Sequence, residues 1–253
     1  MSFTYREFLP SPRFRAHIEC LWCHESNAAI PSFRVLPDGC VDILFQRKGN
    51  GSGALSVVGT MTRAHQFELP ARQLILGVRF KPAMAARFLR AGGAETLDRT
   101  IALGDLWSSI RTRRLAELIA DSKSAEAGAV QIETALGEPP ALDAPEKAIA
   151  QLVESRGTVD LDDLADAARL CPRQFRRICL ERTGISPKRL ARILRFRNAV
   201  ALATPSRRGD WAEVALECGY YDQAHLINEF REFSGVAPGN FSSNLAPRTA
   251  LQS

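Results

Sequence analysis

No stretch of eighteen apolar residues occurs in the 253-residue chain, so the sequence predicts no membrane-spanning helix. The opening Met-Ser-Phe-Thr-Tyr-Arg-Glu lacks a basic head followed by an apolar run, so export is not expected and the expected compartment is the cytoplasm. Cysteine is sparse, six in all, and in such a chain the thiols read as small buried hydrophobes rather than as disulfide partners. A glycine-rich phosphate loop, a nucleophile elbow and a His-x-x-x-His pair are also missing. Those gaps remove the common signatures of nucleotide-dependent, acyl-transfer and zinc-hydrolase chemistry. The chain therefore reads as a non-enzyme, with no cofactor expected.

What remains has two halves. Apolar residues make up 45% and charged residues 24%, enough to bury a core in each. Residues 17–25, 33–36, 40–46, 55–60 and 74–80 are short, apolar or β-branched, and read as strands. Turn chemistry bounds them at Pro37-Asp38-Gly39 and at Gly49-Asn50-Gly51-Ser52-Gly53. Helices are predicted over 83–90, opened by Pro82, and over 106–119, the latter either a dimerising or a packed helix. Residues 122–145, rich in Ala, Ser and Glu and holding Pro139, Pro140 and Pro145, read as a partly helical linker. Beyond it apolar residues recur at helical spacing only. The expected fold class is α+β: a β-rich regulatory domain over 1–121, an all-α domain over 146–242, and a flexible tail over 243–253.

Two constellations in the first half invite chemistry. Cys20-Leu21-Trp22-Cys23-His24 spells a haem-attachment signature, and with Cys40 it offers a zinc set. Strand alternation would instead place Ile18, Cys20 and Trp22 on one face and Leu21 and Cys23 on the other, parting the thiols. A second regularly spaced Cys or His pair is missing, so no metal is expected. Asp38, Asp42 and His65 offer acid–base groups, but Asp38 is more simply a turn residue.

The second half repeats itself. Gly184-Ile185-Ser186-Pro187 returns 51 residues later as Gly235-Val236-Ala237-Pro238. Each copy follows an amphipathic helix, 172–183 and 222–234, and each of those follows a shorter one carrying Leu161, Leu164, Ala165 and Ala168, or Trp211, Val214, Ala215 and Cys218. Helix, tight turn, helix and terminal Gly form a helix-turn-helix pattern, present twice. From Cys171 to Arg197 stand nine basic residues and one acid, Glu181, an electrostatic footprint suited to phosphates.

In the first unit Phe175, Ile178 and Cys179 form the inward stripe, leaving Arg173, Arg176 and Arg177 outward, where arginine bonds guanine. In the second, Leu226, Phe230 and Phe233 point inward and Ala224, Asn228 and Arg231 outward, with Gln223, His225 and Ile227 alongside and Asp222 as N-cap. Gln223 and Asn228 suit adenine. Glu229, Glu232 and Asp222 outweigh Arg231, which predicts a weaker grip for this unit. A helix of about sixteen residues from Pro187, about 24 Å long, would join the two; its Lys188, Arg189, Arg192, Arg195 and Arg197 are divided between DNA backbone and solvent.

At these residues the chain resembles the AraC/XylS family of transcription regulators. The resemblance covers roughly 146–242 and rests on Leu164-Ala165, Phe175-Arg176-Arg177, Gly184-Ile185-Ser186-Pro187, Arg197, Ala201, Ala215, Cys218-Gly219-Tyr220, Asp222-Gln223-Ala224-His225, Phe230 and Gly235-Val236-Ala237-Pro238 with Phe241. It implies a seven-helix double helix-turn-helix domain, most often an activator, with base-reading positions at Arg173, Arg176, Arg177, Gln223, Ala224, Ile227 and Asn228. Cys171 and Cys179 depart from the family's usual Ser and Phe. The stretches Arg34 to Leu44, Val58-Gly59-Thr60 and Gly77 to Pro82 resemble a β-rich domain found before some such regulators, implying a regulatory or dimerising module, a degenerate cupin-like barrel. The expected partners are double-stranded DNA, RNA polymerase and a small-molecule effector in the N-terminal domain, with no membrane, for a monomer or a homodimer. The competing reading is a metabolite- or metal-sensing protein whose helices mediate protein contacts.

Overall fold

The computed structural model describes residues 3–47, 52–203 and 210–241. Eight strands open the chain: β1 (Phe3–Phe8), β2 (Ile18–Ser26), β3 (Ile30–Val35), β4 (Val41–Arg47), β5 (Gly53–Val58), β6 (His65–Leu69), β7 (Gln73–Phe80) and β8 (Thr100–Ala102). Six form one antiparallel sheet in the order β1-β2-β7-β4-β5-β8, and β3 pairs with β6 apart from it. Register explains the core. Val78 stands opposite Leu21 and Ile43, and Leu76 opposite Cys23 and Phe45, so one apolar row crosses three strands. Alternation along each strand keeps these side chains on one face.

Helices α1 (Ala86–Leu89) and α2 (Gly93–Thr96) lie between β7 and β8, and α3 (Leu103–Leu106), α4 (Ser109–Ala120) and α5 (Ala125–Ala135) follow β8. Leu115 and Ile119 of α4 and Ala129 and Ile132 of α5 join the sheet's apolar core. Much of the predicted linker is therefore α5. Ser124 caps it by accepting from the Ala127 N–H at 3.1 Å, and its small side chains let it lie against β2 and β7. The helix predicted over 83–90 shortens to α1 because Ala83 adopts a left-handed φ of +70°. That over 106–119 breaks at extended Trp107, and α4 restarts under a Ser108 cap. A bulge between Ile18 and Cys20 shifts the phase of β2, sending Ile18 to the face of Leu21 and Cys23 rather than that of Cys20. Residues 49–51 of the glycine loop and the tail over 243–253 lie outside the described residues.

The helical half comprises α6 (Ala144–Glu154), α7 (Leu161–Ala167), α8 (Pro172–Thr183), α9 (Pro187–Leu202), α10 (Trp211–Glu217), α11 (Gln223–Ser234) and a closing 3-10 turn, Pro238–Asn240. Its core gathers on α9. The Phe196 ring lies 5.1 Å from that of Phe230 and 5.3 Å from that of Phe233, near edge-on and tilted respectively. No described helix is long and apolar enough to cross a membrane.

The two halves share a tight seam. Leu36 and Ala83 sit in the helical core. A Cβ on Gly93 of α2 would stand 2.0 Å from the Gly184 nitrogen at the end of α8. The Ala64 N–H donates to the Phe233 carbonyl on α11 at 2.8 Å, and Arg189 donates to the Thr62 carbonyl at 3.1 Å.

At the start of α6, Asp143 caps the helix and accepts two bonds of 2.7 Å from Arg182 on α8. Hydrogen bonding to the Arg182 guanidinium holds the Asp143 carboxyl below its ordinary 3.8. A depressed folded-state value stabilises above the ordinary value and fades as pH falls through the folded one. The Asp143 side chain is 39% exposed, so water keeps the contribution below about 1 kcal/mol. Arg182→Gln should therefore lower stability at pH 7 by up to about 1 kcal/mol and by less at pH 3 in urea titrations. An equal loss at both pH values would show that charge plays no part.

Candidate nucleic-acid interface

The two helix-turn-helix units are α7 with α8 and α10 with α11, and their turns close alike. The Leu170 N–H donates to the Ala165 carbonyl at 2.9 Å, and the Tyr220 N–H to that of Ala215 at 2.9 Å. Arg169 and Gly219 take the left-handed position that ends the first helix. The second turn is one residue longer, and Tyr221 stands 93% exposed just before its N-cap.

Each reading helix also ends on the same hydroxyl staple. Thr183 Oγ1 donates to the Cys179 carbonyl at 2.8 Å and accepts from the Ile185 N–H at 3.2 Å. Ser234 Oγ repeats both bonds, to the Phe230 carbonyl at 2.6 Å and from the Val236 N–H at 3.2 Å. Gly184 and Gly235 follow at φ +78° and +79°, a region that costs glycine nothing. The sequence repeat is thus a repeat of hydrogen bonds.

At their N-termini the units differ. Asp222 caps α11 through its side chain, which accepts from the His225 N–H at 2.7 Å. Cys171 leads α8 with no side-chain cap, and Gln174 compensates by accepting from the Cys171 N–H at 3.1 Å. Cys179 is fully buried in the core of the unit.

The predicted side chains divide as follows. Arg173, Arg176 and Arg177 are exposed on one side of α8, opposite buried Phe175 and Cys179, while Ile178 is only half-buried. Gln223, Ala224, His225, Asn228 and Arg231 are exposed on α11, and Ile227 is half-buried against the core. Arg173 and Arg176 have no ion pair among the described residues; Arg177 reaches Glu181 at 2.6 Å, an exposed pair of small worth.

The remaining basic residues of the cluster are largely committed inward, which charge density along a sequence does not reveal. Arg182 is held by Asp143, and Arg192 binds Glu229 at 2.6 Å and also Glu232. Arg189 lies 3.6 Å from Glu232, and Arg195 donates to the Gly157 carbonyl at 3.2 Å beside the Tyr220 ring. Arg197 turns toward Glu19 in the first half of the chain. On α9 Lys188 alone is exposed. The same pairs remove Glu229 and Glu232 from the outward balance of α11. Its outer face is therefore not acidic, and the expected inequality between the units narrows.

Elsewhere, Cys20 and Cys23 lie on opposite faces of β2. Burial pushes the Cys20 thiol up to about 12 and raises that of Cys23, while burial lowers the His24 imidazole. Neither thiol is poised as a thiolate. Asp38 accepts from the Cys40 N–H at 3.0 Å, the expected turn bond, and Asp42 faces Arg79. Long-range ion pairs such as Arg192 with Glu229 escaped the sequence reading, since no helical spacing joins them.

Comparison with known proteins gives likenesses of three kinds, to family models, to a relative and to solved structures. Residues 164–244 match a family model described as a helix-turn-helix domain, and residues 6–102 match one described as a domain of unknown function (DUF6597). An uncharacterized HTH-type transcriptional regulator from Haemophilus influenzae is 28% identical over 98 residues, 39% of this chain and 33% of that protein. The chain thus covers about a third of that relative's length. Among solved structures, ToxT from Vibrio cholerae aligns with a TM-score of 0.42 and 13% identity over 97% of this chain and 99% of that one. Its unsaturated fatty acid-bound form aligns at 0.40 and 12% over 93% of each.

Proposed function

We propose, for a chain in which residues 164–244 match a helix-turn-helix domain and residues 6–102 a domain of unknown function, a sequence-specific transcription regulator that reads double-stranded DNA with both units. The observation that carries this reading is the pair of stapled reading helices held on one rod, α9, with polar outer faces. A sixteen-residue rod spans about 24 Å, on the scale of the roughly 34 Å between successive major grooves.

Arg173, Arg176 and Arg177 meet guanine edges or phosphates, and Gln223 and Asn228 pair with adenine. Ala224 and Ile227 offer apolar contact to thymine methyl groups, and Arg231 a phosphate contact. The N-terminal domain, through the seam, is the route of control, and RNA polymerase is the partner in activation, within the cytoplasm.

Nuclease protection tests this. The protein should protect two adjacent grooves in its own upstream region and prefer that region to random DNA at about 0.15 M salt. Absence of any preference overturns sequence-specific reading. Arg176→Ala should weaken specific binding by about 1–3 kcal/mol and random binding by less. Equal loss on both would reduce Arg176 to a phosphate contact.

A further inference from the structure

Both reading helices end against the first half of the chain, and at the same turn. On α8, a Cβ placed on Gly184 would meet the Gly93 carbonyl oxygen at 2.7 Å and Leu97 Cβ at 3.1 Å. On α11, the Phe233 carbonyl accepts from the Ala64 N–H at 2.8 Å. Leu97 and Ala64 each pack against the helical core. The end of α8 is thus met by α2 and the turn after it, residues 92–99, and the end of α11 by the loop after β5, residues 59–64.

These two segments form one body. The Gly59 N–H donates to the Arg99 carbonyl at 3.0 Å and the Asp98 N–H to that of Thr60 at 2.9 Å. The Asp98 carboxylate ties the far side. It accepts from the Thr62 N–H at 2.7 Å and from the Thr62 hydroxyl at 2.6 Å, with His65 Nε2 at 3.6 Å. Asp98 holds a left-handed φ of +52°, a conformation that a residue other than glycine keeps only where its surroundings impose it. The Thr62 carbonyl also accepts from Arg189 at 3.1 Å, fixing the loop to the start of α9. Helices α8 and α11 each pack on α9. The clip made by the two segments joins their ends a second time and closes a triangle.

We propose that this clip, with Asp98 as its positioning residue, fixes the separation of the two reading helices and so selects the spacing between the two DNA half-sites. The selection rests on the DNA-binding reading above; the fixed placement of the helices does not. One added base pair moves the second groove by about 3.4 Å along the duplex and turns it by about 35°. Readers held on α9 alone would follow part of that displacement. Readers clipped at both ends would lose one set of contacts.

Two measurements on the full chain test the proposal. Spin labels on exposed Cys171 and on Tyr221→Cys, at the starts of α8 and α11, report the helix separation by pulsed electron resonance without DNA; the other five cysteines are buried. The distance distribution should be single and narrow. Asp98→Gly removes the carboxylate while suiting the left-handed backbone, and should widen the distribution at least about twofold. The second measurement compares the protected upstream duplex with the same duplex carrying one added base pair between the two grooves. The unmodified chain should favour the native spacing by about thirtyfold or more, and Asp98→Gly should cut that ratio by about tenfold. Ile119→Val, a loss confined to the sheet core, should alter neither readout. Should Asp98→Gly lose cooperative unfolding, Thr62→Val, which removes only the hydroxyl bond, takes its place with an expected cut of about threefold. An unwidened distribution in the variant overturns the proposal, because α9 then suffices. So does an unchanged spacing ratio, or an equal change in Ile119→Val. Failure of the DNA-binding reading looks different: the unmodified chain shows no preference for its upstream region, and the distances stand.

Discussion

Replacing Arg79 by methionine is expected to cost about 3–5 kcal/mol of folding stability, among the largest single losses available in this chain. Arg79 lies in β7 with Asp42 beside it on β4 and Cys20 on β2, on the sheet face opposite the apolar row. It is 1% exposed. Its Nε stands 3.4 Å from Asp42 and 3.8 Å from Asp38, and Asp42 also accepts from Trp22 Nε1 at 2.9 Å. Methionine matches the length and removes the charge, leaving the Asp38 and Asp42 carboxylates buried without the cation between them. Taking one partner from a buried charge cluster is far costlier than never having built it. Arg79→Lys should recover part of the loss, since the charge returns but the planar fork does not. Chemical denaturation of the three proteins decides the matter. A loss below about 1 kcal/mol for Arg79→Met would show that water reaches the cluster.

Gly93→Val is expected to be nearly as damaging, by about 3 kcal/mol, for a steric reason. A Cβ at this position meets the Gly184 nitrogen at 2.0 Å and the Thr183 carbonyl carbon at 2.4 Å. Both are backbone atoms, so no rotamer change relieves the clash and α2 must withdraw from the end of α8. Gly92→Ala is the matched control, because its Cβ finds nothing nearer than Glu95 Oε1 at 3.4 Å. The exposed faces of α8 and α11 are untouched by either change. Denaturation midpoints should separate the two variants clearly; equal midpoints would mean that the seam has slack.

Local features were legible in the sequence. The double helix-turn-helix pattern was readable because a turn, a terminal glycine and an apolar stripe each depend on neighbours within a few residues. Strands β2, β4, β5 and β7 announced themselves by apolar, β-branched runs between turn residues. Strand β6, with polar residues at three of its five positions, and three-residue β8 carried no such signal and form through their partners. The segment that became α5 read as a linker because its alanines, and the prolines that follow it, resemble a spacer until a sheet surface is there to receive them. The largest revision concerns charge. Nine basic residues in one stretch read as a DNA-facing surface, yet Arg182, Arg192 and Arg197 turn toward carboxylates 39, 37 and 178 positions away. Sequence density counts charges but not their neighbours. What remains facing outward on α8 is the set that had been singled out there, Arg173, Arg176 and Arg177.

The bond from the Ala64 amide to the Phe233 carbonyl has a use beyond cohesion. It joins a loop of the first half to the last turn of the second reading helix, and a hydrogen-bonded amide proton exchanges with water only when its bond opens. The exchange rate of that single proton is therefore a built-in meter of how often the two halves part. Followed with and without DNA, it would report in one number whether gripping the double helix tightens the seam or loosens it.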